Sequence, residues 1–306
     1  MGRTLTDQPT TARGVVGAWR SVASDLVSLT KPRLSSLVLF TGGGGFWLAE
    51  SHRAAGTSVW AAIGGIGGLS LLVGGANTLN NYLERDVDRA MARTRERALP
   101  AGRLDPTTAL LWGLVLVGVS LPLIGFLANP LSAILGLVAL VLYVGVYTPL
   151  KRRSAIATFV GAIPGALPPL IGWTAASGTI DLGGVVLFAI LFLWQMPHFH
   201  AIGMYRKKEY ADAGLATLAT ESGDEAVRQQ VVVFAVALVV TVPLLYPLGV
   251  GGILTQAVGL ALGLGFVALG WKGLVEGLGN RWARNVFLYS LVYLTGLFVV
   301  LGVEAM

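Results

Sequence analysis

The chain has 306 residues, 54% of them hydrophobic and only 12% charged, with a formal net charge of +6 and no cysteine. Globular domains carry about 25% charged residues, so this chain has too few polar groups to cover a water-exposed surface. The absence of cysteine excludes a disulfide framework, a thiolate metal site and a cysteine nucleophile.

Taken in chain order, residues 1–25 read as a flexible polar cytoplasmic tail and residues 26–306 as one transmembrane domain. The start lacks a compact apolar region followed by a small-residue cleavage site, so no signal peptide is expected. Nine apolar stretches follow, at 34–50, 58–83, 107–128, 130–149, 155–176, 182–203, 229–248, 250–271 and 285–304. Each has the length and apolarity of a membrane-crossing helix. The predicted fold is therefore an all-α polytopic bundle of nine transmembrane helices. Pro130 divides the third and fourth spans, and Pro247-Leu248-Gly249 makes the tight turn between the seventh and eighth. Glycine-rich runs at Gly42–Gly45, Gly64–Gly68 and Gly74-Gly75 predict close helix–helix contact. They are not phosphate-cradling loops, because no strand precedes them and no Lys-Ser/Thr follows. Pro164, Pro168 and Pro169 lie inside the fifth span and predict a kink that opens space for a large ligand.

The basic residues test this span count. Alternate connecting segments hold 21 of the 22 lysines and arginines, and Arg53 is the exception. By the positive-inside rule the N-terminus and these segments are cytoplasmic, in a cell inner membrane, and the C-terminus lies outside. The net positive charge is topological and dispersed among short loops, so no nucleic-acid surface is predicted.

Two polar clusters stand at the cytoplasmic ends of spans. The first is Asn80-Asn81-Tyr82-Leu83-Glu84-Arg85-Asp86-Val87-Asp88. Asn80, Glu84 and Asp88 fall at i, i+4 and i+8 and share one helix face. Amide and carboxylate oxygens so placed suit a hard cation such as Mg²⁺; a solvated charged cap is the alternative. The second cluster runs from Trp194-Gln195-Met196-Pro197-His198-Phe199-His200 through Tyr205, Arg206, Lys207, Lys208 and Glu209 to Asp212. Two such clusters at one depth can face each other. Together they offer carboxylates for metal and cations for a diphosphate, with Arg93, Arg97, Lys151, Arg152, Arg206 and Lys207 as candidate anion contacts. Taken singly, each of these reads better as a topogenic or interfacial charge. His198 and His200 are two apart, face different sides of a helix, and are not expected to chelate one ion.

Five long motifs stand in order along the chain: Leu29-Thr30-Lys31-Pro32-Arg33, Asn80-Asn81-Tyr82 with Arg85-Asp86-Val87-Asp88-Arg89, Tyr147-Thr148-Pro149-Leu150-Lys151-Arg152, Gly161-Ala162-Ile163-Pro164-Gly165-Ala166-Leu167-Pro168-Pro169 and Trp194-Gln195-Met196-Pro197-His198. In them the chain resembles the UbiA superfamily of intramembrane prenyltransferases, and within it the haem-modifying branch. Glu84 stands where the superfamily usually has Asp, and Tyr205 and Glu209 stand where its second motif has two Asp. The resemblance implies transfer of a farnesyl group from farnesyl diphosphate to a vinyl group of haem b, a substrate rather than a cofactor. Asn80, Glu84, Asp88 and Glu209 would hold Mg²⁺, and His198 and Tyr205 would stand at the reacting site. It further implies the lipid bilayer as surroundings, and a haem A synthase or oxidase assembly factors as possible partners. A prenyltransferase of the same fold acting on a quinone or chlorin precursor is the nearest rival. A secondary transporter is a more distant one, because no line of ionisable groups crosses the membrane.

Overall fold

The computed structural model describes residues 12–51 and 56–306, so Arg3 and Arg53 lie outside the described residues. The described chain contains helices and no strands. Helix α1 spans Ala12–Leu29 and α2 spans Pro32–Ser51. The remaining long helices are α3 (Val59–Ala90), α4 (Pro106–Leu127), α5 (Pro130–Leu150), α6 (Ala157–Ser177), α7 (Leu182–Tyr205), α9 (Leu218–Leu245), α10 (Ile253–Val275) and α11 (Asn280–Glu304). A short α8, Lys207–Asp212, follows α7. These eight long helices are apolar and long enough to cross a membrane. The ninth expected span is α2, whose 20 residues suffice for about 30 Å of hydrocarbon. Its serines and four consecutive glycines make it less apolar than the others.

Local chemistry sets the boundaries. Asp105 accepts from Thr108 N at 2.9 Å and Asn129 Oδ1 accepts from Ser132 N at 2.9 Å, each followed by Pro at the first helical position. Asp181 caps α7 through Gly184 N at 3.2 Å. Helix α6 ends at Gly178, whose φ of 76° is the left-handed stop that glycine adopts at low cost. At the far end, Glu304 accepts from the amides of Gly252, Leu254 and Thr255 at 2.8–2.9 Å, fastening the end of α11 over the start of α10.

Helices α6 and α7 form the middle of the bundle. They bury 72% and 61% of their most apolar stretches, against 17% for α5, so α5 is peripheral. Helix α6 touches α2, α5 and α7, and α7 also contacts α9 and α11. Outward positions on the peripheral helices carry exposed Phe126, Val240, Ile253 and Val275, as lipid contact requires. The glycine runs act as expected. A Cβ on Gly172 would strike the carbonyl oxygen of Gly42, and one on Gly45 would strike that of Pro169, so α2 and α6 meet backbone to backbone.

Two expectations change. The tail expected over residues 1–25 is helical from Ala12 onward. It escapes an apolar-run reading because its apolar residues lie on one face only. The seventh span, expected from 229, belongs to a helix that begins at Leu218 and is interrupted at Gly223, where φ is 84°. The fifth span runs as one helix through its three buried prolines; Gln195 Nε2 donates to Ala162 O at 3.1 Å beside them. Gly165 makes room for that amide, because a Cβ there would collide with it.

The connections rich in Lys and Arg gather at one end. Arg103 pairs with Asp25 at 3.1 Å, Arg93 with Glu209 at 3.6 Å, and Arg228 Nη1 donates to Leu278 O at 2.9 Å. Ala216 N donates to Lys151 O at 3.1 Å. This basic end holds the polar clusters.

Candidate active site

Helix α3 continues past its apolar stretch to Ala90, so Asn80, Glu84 and Asp88 do project from one helical face, and all three are buried. A buried carboxylate left alone would cost several kcal/mol, on the order of 3–5 when a pair is broken. Each polar group here has a cation. Lys31 Nζ donates to Asn80 Oδ1 at 2.8 Å. Lys151 Nζ is in close contact with Glu84 Oε1. Arg97 Nη1 donates to Asp88 Oδ2 at 2.8 Å. The Asn80 amide donates to Thr148 Oγ1 at 3.1 Å, which fixes α3 against the end of α5. Thr94 Oγ1 donates to Asp88 O at 2.9 Å, folding the loop after α3 back so that Arg97 can return to the helix it just left.

Lys31 occupies the junction of α1 and α2 with φ at 51°, the only non-glycine at positive φ among the described residues. Such a backbone costs about 1–3 kcal/mol and persists where surroundings dictate it. Burial, with repulsion from Arg97 second, pushes the Lys31 amine down to about 8, against the pull of Glu84. Lys151 lies over the Tyr147 ring at 5.6 Å. Arg152, next to it, is exposed.

The second cluster is built differently. Arg206 Nη1 donates to Glu209 Oε2 at 2.8 Å, and Arg93 Nε stands 3.6 Å from Glu209 Oε1. Glu209 is therefore held by two guanidinium groups. It does not join Glu84 and Asp88, and among the described residues no three His, Asp or Glu side chains form a metal-sized group. Of the expected metal set, Asn80, Glu84 and Asp88 share the α3 face, while Glu209 is paired with Arg206 and Arg93. Lys207 turns to Asp224 at 2.9 Å. The Tyr205 ring lies under the Arg206 guanidinium at 5.4 Å and meets Phe287 edge-on at 6.0 Å. Tyr205 to Glu209 form one wall of an open cavity of about 910 Å³, closed by Met91 after α3 and by Arg284 and Phe287 of α11.

His198 sits in an aromatic cage, stacked on Trp194 at 4.8 Å and tilted against Phe287 at 5.0 Å. Its Nδ1 is 2.8 Å from Ser290 Oγ, and that hydroxyl donates to Phe287 O at 2.6 Å. A hydroxyl has one hydrogen, so Ser290 must accept from His198. The imidazole then carries its proton on Nδ1 and keeps a lone pair on Nε2. His200 faces elsewhere, as its spacing predicts. It lies near Phe159 at 6.0 Å and Phe234 at 6.5 Å, and its buried Nε2 has no hydrogen-bond partner among the described residues.

The profile of the UbiA prenyltransferase family matches residues 37–292. The chain belongs to this family. As a UbiA-family prenyltransferase it is similar to the protoheme IX farnesyltransferase of Myxococcus xanthus, at 52% identity over 93% of this chain and 95% of that one. It is also similar to the protoheme IX farnesyltransferase of Anaeromyxobacter sp., at 47% identity over 92% of this chain and 94% of that one. Among solved structures, a digeranylgeranylglyceryl phosphate synthase superposes with a TM-score of 0.80 at 16% identity, covering 93% of this chain and 99% of that one. A UbiA homolog from Archaeoglobus fulgidus bound to GPP and Mg2+ gives a TM-score of 0.60 at 14% identity, covering 90% and 99%. At such identities the likeness is one of fold.

The donor set on α3 fits a hard divalent cation. It offers amide and carboxylate oxygens and no sulfur, and each carboxylate has a second oxygen beyond the one in its ion pair. Sequence reasoning placed the acidic face but did not assign Lys31, Thr148 or Ser290 to it or to His198. The signals for Lys31 were its place in the Leu29–Arg33 motif and its position immediately before a helix-starting proline.

Proposed function

We propose that this UbiA-family prenyltransferase moves a farnesyl group from farnesyl diphosphate onto a vinyl group of haem b, with addition of water, to give haem O. The observation that carries the reading is the buried face of Asn80, Glu84 and Asp88, met by Lys31, Lys151 and Arg97. The protoheme IX farnesyltransferase relatives, matched over nearly the whole chain, support the choice of substrates.

With its partners the face carries three cations against two carboxylates, a net charge of +1. A diphosphate entering it competes with Glu84 and Asp88 for Lys151 and Arg97, and adds Lys31 as a third donor. The carboxylate oxygens released from those pairs, with Asn80 Oδ1, are the groups that would hold Mg²⁺. Bound there, Mg²⁺ would draw negative charge from the leaving diphosphate. In the reaction the allylic C–O bond breaks and its electron pair departs with the diphosphate. The vinyl π electrons form the new C–C bond to the allylic carbon. Water captures the resulting cation and loses a proton, giving the hydroxyethylfarnesyl substituent. The protein's part is to bind the diphosphate, keep stray water from the allylic carbon, and hold the porphyrin edge in place. His198, with its Nε2 lone pair, is the group we assign to the haem iron or to the released proton. The basic end faces the cytoplasm of an inner membrane in this reading, and the product passes to a haem A synthase or to oxidase assembly factors.

The test uses purified protein with haem b, farnesyl diphosphate and Mg²⁺, with products read by mass. Haem O is the expected product. Prenylation of a phenolic quinone precursor with no haem O would overturn the reading.

A further inference from the structure

The basic end contains two groups of cations, and only one belongs to the α3 face. Lys31, Lys151 and Arg97 are used there. The other group lines the 910 Å³ cavity: Arg206, Lys207, Lys208 and Arg284, against the two carboxylates of Glu209 and Asp212. Arg206 is spent on Glu209 and Lys207 on Asp224. Lys208 and Arg284 have no ion pair among the described residues, and both are exposed at the mouth. The cavity is therefore positive at its mouth. The rest of its lining includes the apolar side chains of Met91, Phe287 and Leu288.

We propose that this cavity is the entry and anchoring site of the porphyrin, with its two propionates paired to Arg284 and Lys208 at the mouth. The inference rests on haem b being the acceptor. Its chemistry is specific. A porphyrin with two carboxylates on one edge needs two cations at water and an apolar floor for the ring; a prenyl diphosphate needs its charges deep and its tail in lipid. The propionates and the vinyl groups occupy opposite edges of protoporphyrin IX. Fixing the propionates at Arg284 and Lys208 therefore aims the vinyl edge inward. Inward from the mouth lies Phe287, against which His198 is tilted at 5.0 Å. Arg284 and Phe287 are three residues apart on α11, one helical turn, so a single helix offers both the carboxylate anchor and the ring contact. Orientation would then be decided at the surface, before the ring reaches the reacting groups.

The experiment titrates full-length protein in detergent with haem b and with its dimethyl ester, which lacks both carboxylates. Farnesyl diphosphate binding is measured in parallel. Wild type, Arg284→Gln, Lys208→Gln and Arg284→Lys are compared. We expect Arg284→Gln to weaken haem b binding about tenfold, Lys208→Gln less, and Arg284→Lys to recover most of the loss. The ester should bind wild type and Arg284→Gln equally, and farnesyl diphosphate binding should not change in any variant. Equal loss of haem b and ester affinity would overturn the carboxylate anchor, as would loss of farnesyl diphosphate binding in Arg284→Gln. If wild type makes haem O while both Gln variants bind haem b normally, the anchoring site is wrong and the enzyme reading stands. If wild type neither binds haem b nor makes haem O, the enzyme reading itself fails.

Discussion

The two polar clusters use the same residue types and differ in what surrounds them. On α3 the oxygens of Asn80, Glu84 and Asp88 are buried, and each is matched by one cation brought from a different segment. Around Glu209 the pairs are half-exposed, one is 3.6 Å long, and positive charge is in excess. In a water-poor site an ion pair is strong, and its loss leaves a stranded charge. At an open mouth the same pair is worth about 0–1 kcal/mol. The first cluster is therefore suited to charge exchange with a diphosphate and the second to capture and orientation.

Breaking the buried side should do the most harm. Asp88→Ala strands Arg97 and removes a cation-binding oxygen, and turnover should fall at least about a thousandfold, with the protein still monodisperse by size-exclusion chromatography. Near-normal activity across Mg²⁺ concentrations would remove Asp88 from the site. Glu84→Asp, which keeps the charge, should retain measurable turnover.

Next in size is Lys31→Met. It takes away a buried amine that faces Asn80, and the farnesyl diphosphate affinity should drop about tenfold to a hundredfold while haem affinity holds. An isotherm unchanged from wild type would leave Lys31 a purely structural residue. Lys31→Gly should lose the same affinity while relieving the backbone at φ 51°, so it should be the more stable of the two variants.

His198→Ala comes third. Haem binding or haem O formation should fall with farnesyl diphosphate binding kept, and the emptied cage beside Trp194 should cost about 1–3 kcal/mol of stability. His200→Ala should change activity less. The opposite pattern, normal haem binding with lost farnesyl diphosphate binding in His198→Ala, would refute the assignment.

Smallest should be Arg93→Gln. Its partner Glu209 keeps Arg206, and thermal denaturation should register no more than about 1 kcal/mol. A larger effect would mean that the mouth is less open to solvent than its exposure suggests.

How far the sequence anticipates these regions follows from the range of the interactions. Spans end where Asn129-Pro130 and Gly249 stand, because caps and turns are local. The shared face of Asn80, Glu84 and Asp88 follows from helical spacing alone. The partners of that face do not. Lys31 is 49 residues from Asn80, and Ser290 is 92 from His198, distances over which no periodicity speaks. The pairing of Glu209 with Arg93 and Arg206 is hidden for the same reason: a shared membrane depth says that two clusters can meet and does not say which side chains pair. The helix at Ala12–Leu29 was missed because length of apolar run was the criterion, and an amphipathic helix has none.

The order in which the charges arise along the chain bears on how this protein enters a bilayer. When α3 emerges, Lys31 has already been made, and Arg97 follows Asp88 by nine residues. Asn80 and Asp88 can thus be matched almost as soon as they appear. Glu84 cannot. Its cation, Lys151, lies beyond α4 and α5, and its backbone oxygen is fastened by Ala216 only after α6 and α7 are in place. A half-synthesised chain therefore carries one uncompensated acid at the edge of the membrane until two further helices have been inserted. Lys151 is in this sense the residue that closes the N-terminal half of the molecule, whatever it later does for a substrate.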